Sequence, residues 1–349
     1  MKTKIKSFNL LLVILFFGYQ DLLAHDEFTK VVKKEFTVDP GTQFTVENKF
    51  GKVHCNNWDK NVISIEVTLR VEASDERAAE KIMDKISILL NGSASEVTAR
   101  TIISEGGFKG RNRVNIDYMI NMPVNLNLDI TNKFGDIYFN EISGKGRIDL
   151  GYGNLEANKM GNSDNLIEIK FGRGNVKYIQ GAVLNLKYSE FRLDYAGSLR
   201  LDSKYSDLWA NKVVALNMNF EGGKINMENS SSFDSRSKFS DIYITRLEKS
   251  LNLDIQYGKC DIKDMPSDFT SINIKNKYSD VKVGIASNAG YSLEADLRFC
   301  ELIFPESDAD LSQRITTNTS KYFKGTIGKA GASMSKVTVK SEFGNVTLK

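Results

Sequence analysis

Apolar and polar side chains alternate along most of this chain, and one short pattern interrupts the alternation at regular intervals. The pattern is an aromatic residue, a Gly or other small residue, a polar or charged residue, and an aliphatic one. It reads Phe50-Gly51-Lys52-Val53, Phe134-Gly135-Asp136-Ile137, Tyr152-Gly153-Asn154-Leu155, Tyr188-Ser189-Glu190-Phe191 and Tyr205-Ser206-Asp207-Leu208. It recurs at Phe239, Tyr257, Tyr278, Phe299 and Phe343. Two more copies, starting at Phe171 and Phe220, read as carrying a two-residue insertion in the turn. From Phe134 to Phe299 the aromatics recur every 15 to 21 residues. That period is too short for a globular domain and suits one coil of a stacked repeat.

Strict alternation flanks the pattern, as in Leu184, Leu186 and Tyr188 before it and Phe191 and Leu193 after it. Period two means strands with one buried face. The small-polar pair then marks a corner, because Gly or Ser tolerates a tight bend and a short polar side chain can bond its own backbone. The aromatic is expected to be the last inward residue before that corner. A further inward column falls eight residues later, at Ile142, Met160, Ile179, Val213, Leu247 and Met265. Coils stacked at about 4.8 Å would each add buried side chains contributing roughly 1.5–3 kcal/mol apiece. The fold class that follows is all-β, a single-stranded β-solenoid, β-helix-like, with coils of about 18 residues.

Residues 25–123 depart from the repeat. Asp75 to Leu90 carries Ala78, Ala79, Ile82, Met83, Ile86, Leu89 and Leu90 at helical spacing, opened by Ser74 and stopped by Gly92. Strand-like runs surround it at Phe44 to Lys52, Val62 to Val71, Glu96 to Ile103 and Val114 to Met122. The expectation is a small α+β N-terminal segment that supplies the first corner at Phe50 and caps the stack. Residues 124–349 form the array. A cover from Pro305 to about Gly331 precedes the last coil at Phe343.

The first 24 residues change the setting. Lys2, Lys4 and Lys6, the apolar run Leu10 to Phe17, and Leu22-Leu23-Ala24 read as a signal peptide, residues 1–24, with the mature chain starting at His25. The run is shorter than the roughly 20 residues of a spanning helix. The mature chain is therefore expected to be exported, to the periplasm, outer surface or medium, without a transmembrane segment. Net charge falls from +3 for the whole sequence to +1 without the signal. That balance gives no electrostatic case for nucleic acid.

Candidate chemistry is sparse. His25 and His54 are the two histidines, too few for a His-rich metal site, and no metal or cofactor is expected. Cys55 and Cys260 fall on inward positions and Cys300 at a corner. Cys260 and Cys300 lie two coils apart, so three free thiols are expected. A carbohydrate-cleaving site would need clustered carboxylates. Asp149, Glu168, Asp202 and Asp254 share an outward column, but Asn185, Asn217 and Arg236 come between them, so the acids read as spread out. Gly172-Arg173-Gly174 sits in a corner, not between strand and helix, which excludes a nucleotide-binding loop. Lysines before the aromatics and acids after them read as exposed pairs flanking the corners. The most suggestive outward residues are Tyr138, Trp209 and Tyr243, four residues after their corner aromatics. Such rings can stack on sugars or anchor a protein partner.

The corners Phe134-Gly-Asp-Ile, Phe239-Ser-Asp-Ile and Phe343-Gly-Asn-Val, the Ile120-Asn-Met-Pro123 run entering the array and the export signal together resemble the bacterial exported β-strand-repeat adhesin-like family. The resemblance covers most of the mature chain. It implies a coiled β architecture and an envelope or extracellular setting, and it brings no catalytic residues. The combined reading is a non-catalytic envelope or secreted scaffold that binds a glycan or protein of the cell envelope. A polysaccharide-modifying β-helix enzyme and an envelope signalling or stress-associated protein are the alternatives.

Overall fold

Strands dominate because alternating apolar positions find the same alternation one repeat later. The computed structural model describes residues 26–104, 106, 113–328 and 335–349. The predicted signal peptide at 1–24 and His25 lie outside these residues. Among them the fold is all-β, apart from the helix Glu76–Met83 and a short 3-10 turn at Glu306–Asp308.

Each repeat forms a rung of two strands that meet at the aromatic corner, and successive rungs pair in parallel. Before the corner, Ile148 is in register with Ile130 and with Ile167. After it, Leu155 is in register with Ile137 and with Gly174. Ile130, Ile148 and Ile167 thus stack on one another, as do Ile137 and Leu155, while Gly174 leaves the second column without a side chain at that rung. The inward column eight residues after each aromatic is buried as expected, at Ile142, Met160, Ile179, Val213, Leu247 and Met265. Backbone hydrogen bonding runs through the corner as well: Tyr188 N–H donates to Lys204 O, and Asp207 N–H donates to Ser189 O.

The corner aromatics do not face inward. Phe134, Tyr188 and Phe239 are 47%, 56% and 61% exposed, and all eleven corner aromatics have φ between 51° and 65°. Period two holds only for extended backbone. A left-handed residue rotates the chain, so the Lys before the corner and the aromatic at it both point outward. The last inward residue is two positions earlier, as at Asn132, Leu186 and Ser203.

Two copies are corrected by the register. Phe171 has no insertion, since Arg173 pairs with Glu190 and Gly174 with Phe191. Phe220 is not a corner residue. It is buried and pairs with Ser203, while Lys204 pairs with Glu221. The residue opposite Tyr205 is therefore Gly222.

Both ends are closed by antiparallel strands. At the start, Glu96–Ile103 and Val114–Met122 stack on the Phe50 rung. Val62–Ala73 pairs antiparallel with the latter strand, and Asp26–Thr37 pairs with Val62–Ala73. Lys30, Lys33 and Lys34 stud that outermost strand, which discourages pairing with another chain. The helix is shorter than expected. Asp75, not Ser74, caps it by accepting the Ala78 N–H at 2.9 Å, and Ile86–Gly92 forms a strand beside Glu96–Ile103. Branched Ile86 and Ile88 favour that pairing over further helix.

At the far end, Ser335–Glu342 and Val346–Leu348 insert between the Tyr278 and Phe299 rungs. The Phe343 coil is last in sequence but not last in the stack. Ser320–Ile327 and then Ala309–Thr316 cover the Phe299 rung as antiparallel strands. Cys260 and Cys300 are thus three rungs apart rather than two, and all three cysteines are free.

Candidate functional site

A left-handed backbone costs an ordinary residue about 1–2 kcal/mol, and here the same conformation recurs at every aromatic corner. Stacking offsets that cost. Phe50, Phe134, Tyr152, Phe171, Tyr188 and Tyr205 form one run of rings with centroids 5.0–5.4 Å apart. Phe239, Tyr257, Tyr278, Phe343 and Phe299 form a second, at 4.9–5.2 Å. Each stacked pair is worth about 0.5–1.5 kcal/mol beyond area burial. Ring planes within a run deviate by no more than 15°. The result is an exposed aromatic ladder along one edge of the molecule, and a shallow groove of about 740 Å³ follows Phe171, Tyr188 and Tyr205.

Polar residues hold the corners that aim these rings. Ser189 Oγ donates to Lys187 O at 2.7 Å and accepts the Gly172 N–H at 3.3 Å, tying one corner to the previous one. Ser206 repeats the arrangement, donating to Lys204 O at 2.9 Å and accepting the Ser189 N–H at 3.0 Å. Of the acids two positions past the corner, Asp136 accepts the Asn154 N–H and Asp207 the Lys224 N–H, both at 2.8 Å, whereas Glu190 pairs with Arg192 and Glu301 with Lys321. Among the described residues none of these acids pairs with the lysine before its own corner, contrary to expectation. Ion pairs run instead within the lysine column, at Lys204–Glu221 (3.1 Å) and Lys277–Glu342 (3.2 Å). These hydrogen-bonded partners raise both lysine pKa values. Lys49 and Lys277 also lie over the rings of Phe50 and Tyr278, at 5.0 and 5.6 Å.

Tyr138, Trp209 and Tyr243 lie half-buried in one column on the strands that follow the corner. Tyr138 is flanked by His54 and Glu156, Trp209 by Arg192, and Tyr243 by Asp261. The three are not neighbours: Tyr138 lies four rungs from Trp209, and Trp209 two rungs from Tyr243, at about 4.8 Å per rung. Each has its own partner: His54 lies 4.3 Å from the Tyr138 ring, Arg192 lies 5.3 Å over Trp209, and Lys259 lies 5.3 Å over Tyr243.

Among the carboxylates, Asp149 and Glu168 are direct register neighbours, closer than the column reading implied. Asn185 Nδ2 donates to Glu168 Oε1 at 3.1 Å. Asp202 faces Asn185 and Asn219, the latter in the place expected for Asn217, and Asp254 faces Lys275. Burial raises the pKa of Asp129 against the opposing pull of Arg147. Burial also pushes the Cys55 and Cys260 thiols up to about 12, which removes their nucleophilic form. Among the described residues no group of three or more His, Cys, Asp or Glu is placed to hold a metal ion. No helix there is long and apolar enough to cross a membrane.

The functional candidates that sequence reasoning placed wrongly are the ladder rings themselves. A usable signal existed. The residue two before each aromatic already completes the inward series, and Asn132, Ser203 and Asn276 there suit a corner's interior better than a strand's outer face.

No family model matches the sequence and no curated protein matches it. Among solved structures, a candidate cell adhesion protein from Clostridium sporogenes is 10% identical, with a TM-score of 0.24 over 92% of this chain and 99% of that one. A candidate adhesin from Bacteroides fragilis is 13% identical, with a TM-score of 0.25 over 92% and 97%. A candidate lipid binding protein from Parabacteroides distasonis is 10% identical, with a TM-score of 0.27 over 91% and 96%. At such TM-scores the superposition is partial, and the names of these proteins assign nothing to this chain.

Proposed function

We propose that this protein is a non-catalytic, exported β-solenoid of the adhesin-like kind. It acts as a rigid binding scaffold whose aromatic edge contacts a glycan or protein of the cell envelope. The observation that carries the reading is the ladder: eleven corner rings, ten of them 40–61% exposed, held in parallel by a backbone conformation that costs energy. Large exposed apolar surface on a folded chain marks an interaction site, and Tyr and Phe supply contact area at low entropic cost. A stack of rungs also holds its rings in fixed register, which lowers the ordering cost of association.

The test is binding of the full chain to isolated envelope fractions and to a glycan array. It is compared with a variant carrying Phe134→Ser, Tyr152→Ser and Phe171→Ser. Loss of binding with an unchanged circular dichroism spectrum is the expected result, and undiminished binding rejects the ladder as the contact surface. The Asp149–Glu168 neighbourhood favours one second reading, a polysaccharide-modifying site. Turnover of acidic polysaccharides that Glu168→Gln abolishes would establish it in place of the first.

A further inference from the structure

The ladder breaks once between its first and last rings, at Gly222. The register that pairs Lys204 with Glu221 puts Gly222 where every neighbouring rung carries an aromatic, and its φ of +70° keeps the left-handed corner. No stacked pair spans the position, although Tyr188–Tyr205 lies on one side and Phe239–Tyr257 on the other. The rung has not lost its ring but moved it. Phe220, two residues earlier, is buried in register with Ser203, a small side chain that leaves it room.

Tyr205 and Phe239 are two rungs apart, about 9.6 Å. Ladder rings stack at 4.9–5.4 Å, so one flat ring placed midway restores the repeat on both faces. Phe239, on one side of the gap, is the most exposed ring of the ladder, at 61%. Tyr205 leans into the space: its Cδ1 would lie 2.8 Å from a Cβ built on Gly222. A ring entering the slot therefore requires that side chain to turn aside.

We propose that the Gly222 gap is a binding slot for a single uncharged aromatic side chain, Tyr or Phe, of a polypeptide partner. This rests on the ladder being the contact surface. Charge on the rim is balanced. Glu221 is held by Lys204, Asp207 accepts the Lys224 backbone N–H, and the sequence around Phe239 adds one base, Lys238, and one acid, Asp241. A neutral occupant complements such a rim, and a uronate or phosphate does not. The floor is the Gly222 backbone, which has no side-chain donor or acceptor for the hydroxyl-rich edge of a sugar. The parallel faces above and below continue a π-stack.

The test uses the full chain and two blocked pentapeptides, Gly-Ser-Tyr-Ser-Gly and its Leu counterpart, titrated by NMR. The Tyr peptide is expected to bind at least about tenfold more tightly than the Leu peptide, in line with ring pairs of about 0.5–1.5 kcal/mol on each face. Gly222→Tyr, which supplies the missing ring from the chain itself, should abolish that preference. Should Gly222→Tyr misfold, Phe239→Ala with an unchanged circular dichroism spectrum should reduce Tyr-peptide affinity about two- to tenfold, while Tyr178→Ala, whose ring stacks on Tyr195 outside the ladder, leaves it unchanged. Equal binding to wild type, Gly222→Tyr and Phe239→Ala would overturn the slot, as would binding of neither peptide. Cellopentaose binding with the same variant sensitivity would reassign it to a sugar. Envelope binding that survives Gly222→Tyr but is lost with the ladder variant keeps the ladder and removes the slot.

Discussion

The Phe191 ring fills the space left by Gly174 in the adjacent rung: a Cβ built on Gly174 would lie 2.3 Å from Phe191 Cδ2. The two residues are in register, and Phe191 is fully buried. Elsewhere this column holds residues such as Leu155 and Leu208. One oversized side chain is thus accommodated by one absent side chain in the neighbouring layer, so the rungs are fitted to each other in a fixed order.

Gly174→Ala should therefore destabilise the chain by about 1–3 kcal/mol, the usual cost of overpacking. Adding Phe191→Leu should recover part of that loss, because the smaller residue frees the volume the methyl needs. Urea unfolding of both single variants and the double variant measures the coupling. Strict additivity would mean that the two residues do not share this space.

At the ladder the usual order of Ala and Gly should invert. Tyr188 has φ 51° and stacks on Phe171 and Tyr205 at 5.1 and 5.3 Å. Tyr188→Ala loses both pairs and keeps the left-handed strain, for a cost of about 1–3 kcal/mol. Tyr188→Gly loses the same pairs but relieves the strain, so thermal unfolding should find it the more stable variant. In an ordinary strand Gly is the poorer residue by roughly 0.5–1 kcal/mol.

Alkaline pH should weaken the fold before the exposed groups account for it. Burial raises the Cys55 and Cys260 thiols and the Tyr118 and Tyr291 hydroxyls to about 12, from ordinary values of 9.0 and 10.0. A group raised on folding contributes stability that is complete below its unfolded pKa and is lost as pH rises through the folded value. The loss should thus begin near pH 9 and continue to about pH 12. Cys260→Ala and Tyr291→Phe should each flatten that dependence in denaturant titrations at fixed pH values.

The same burial predicts thiol selectivity. A native-state reagent such as a disulfide dye should modify Cys300, which is partly exposed, and leave Cys55 and Cys260 untouched until the chain is unfolded. Rapid labelling of all three in the folded protein would contradict their placement in the core.

Much of this architecture was legible from alternation alone. Leu184 and Leu186 before the corner and Phe191 and Leu193 after it all lie inside, and Ile142 and Met160 mark the far column as expected. The aromatics were misread because alternation cannot register a single left-handed residue. Tyr188 continues the series of Leu184 and Leu186 on paper, but its backbone turns it out. Phe220 was misread for the opposite reason: an aromatic near two glycines imitates the corner pattern, and the pairing of Lys204 with Glu221 shifts the corner by two. Insertion of the Phe343 rung between those of Tyr278 and Phe299 left no local mark, since long-range strand order depends on which edge is free when the chain returns. Of the candidate site, Tyr138, Trp209 and Tyr243 were found as outward residues, whereas the ladder, hidden by the same left-handed turn, was not.

Chemical acetylation of tyrosines followed by mass spectrometry asks most directly whether the corner rings face solvent. Tyr152, Tyr188, Tyr205, Tyr257 and Tyr278 should be modified in the folded protein, with Tyr118 and Tyr291 protected. Protection of the five corner tyrosines alongside Tyr118 and Tyr291 would place them in the core and remove the exposed ladder on which the binding role depends.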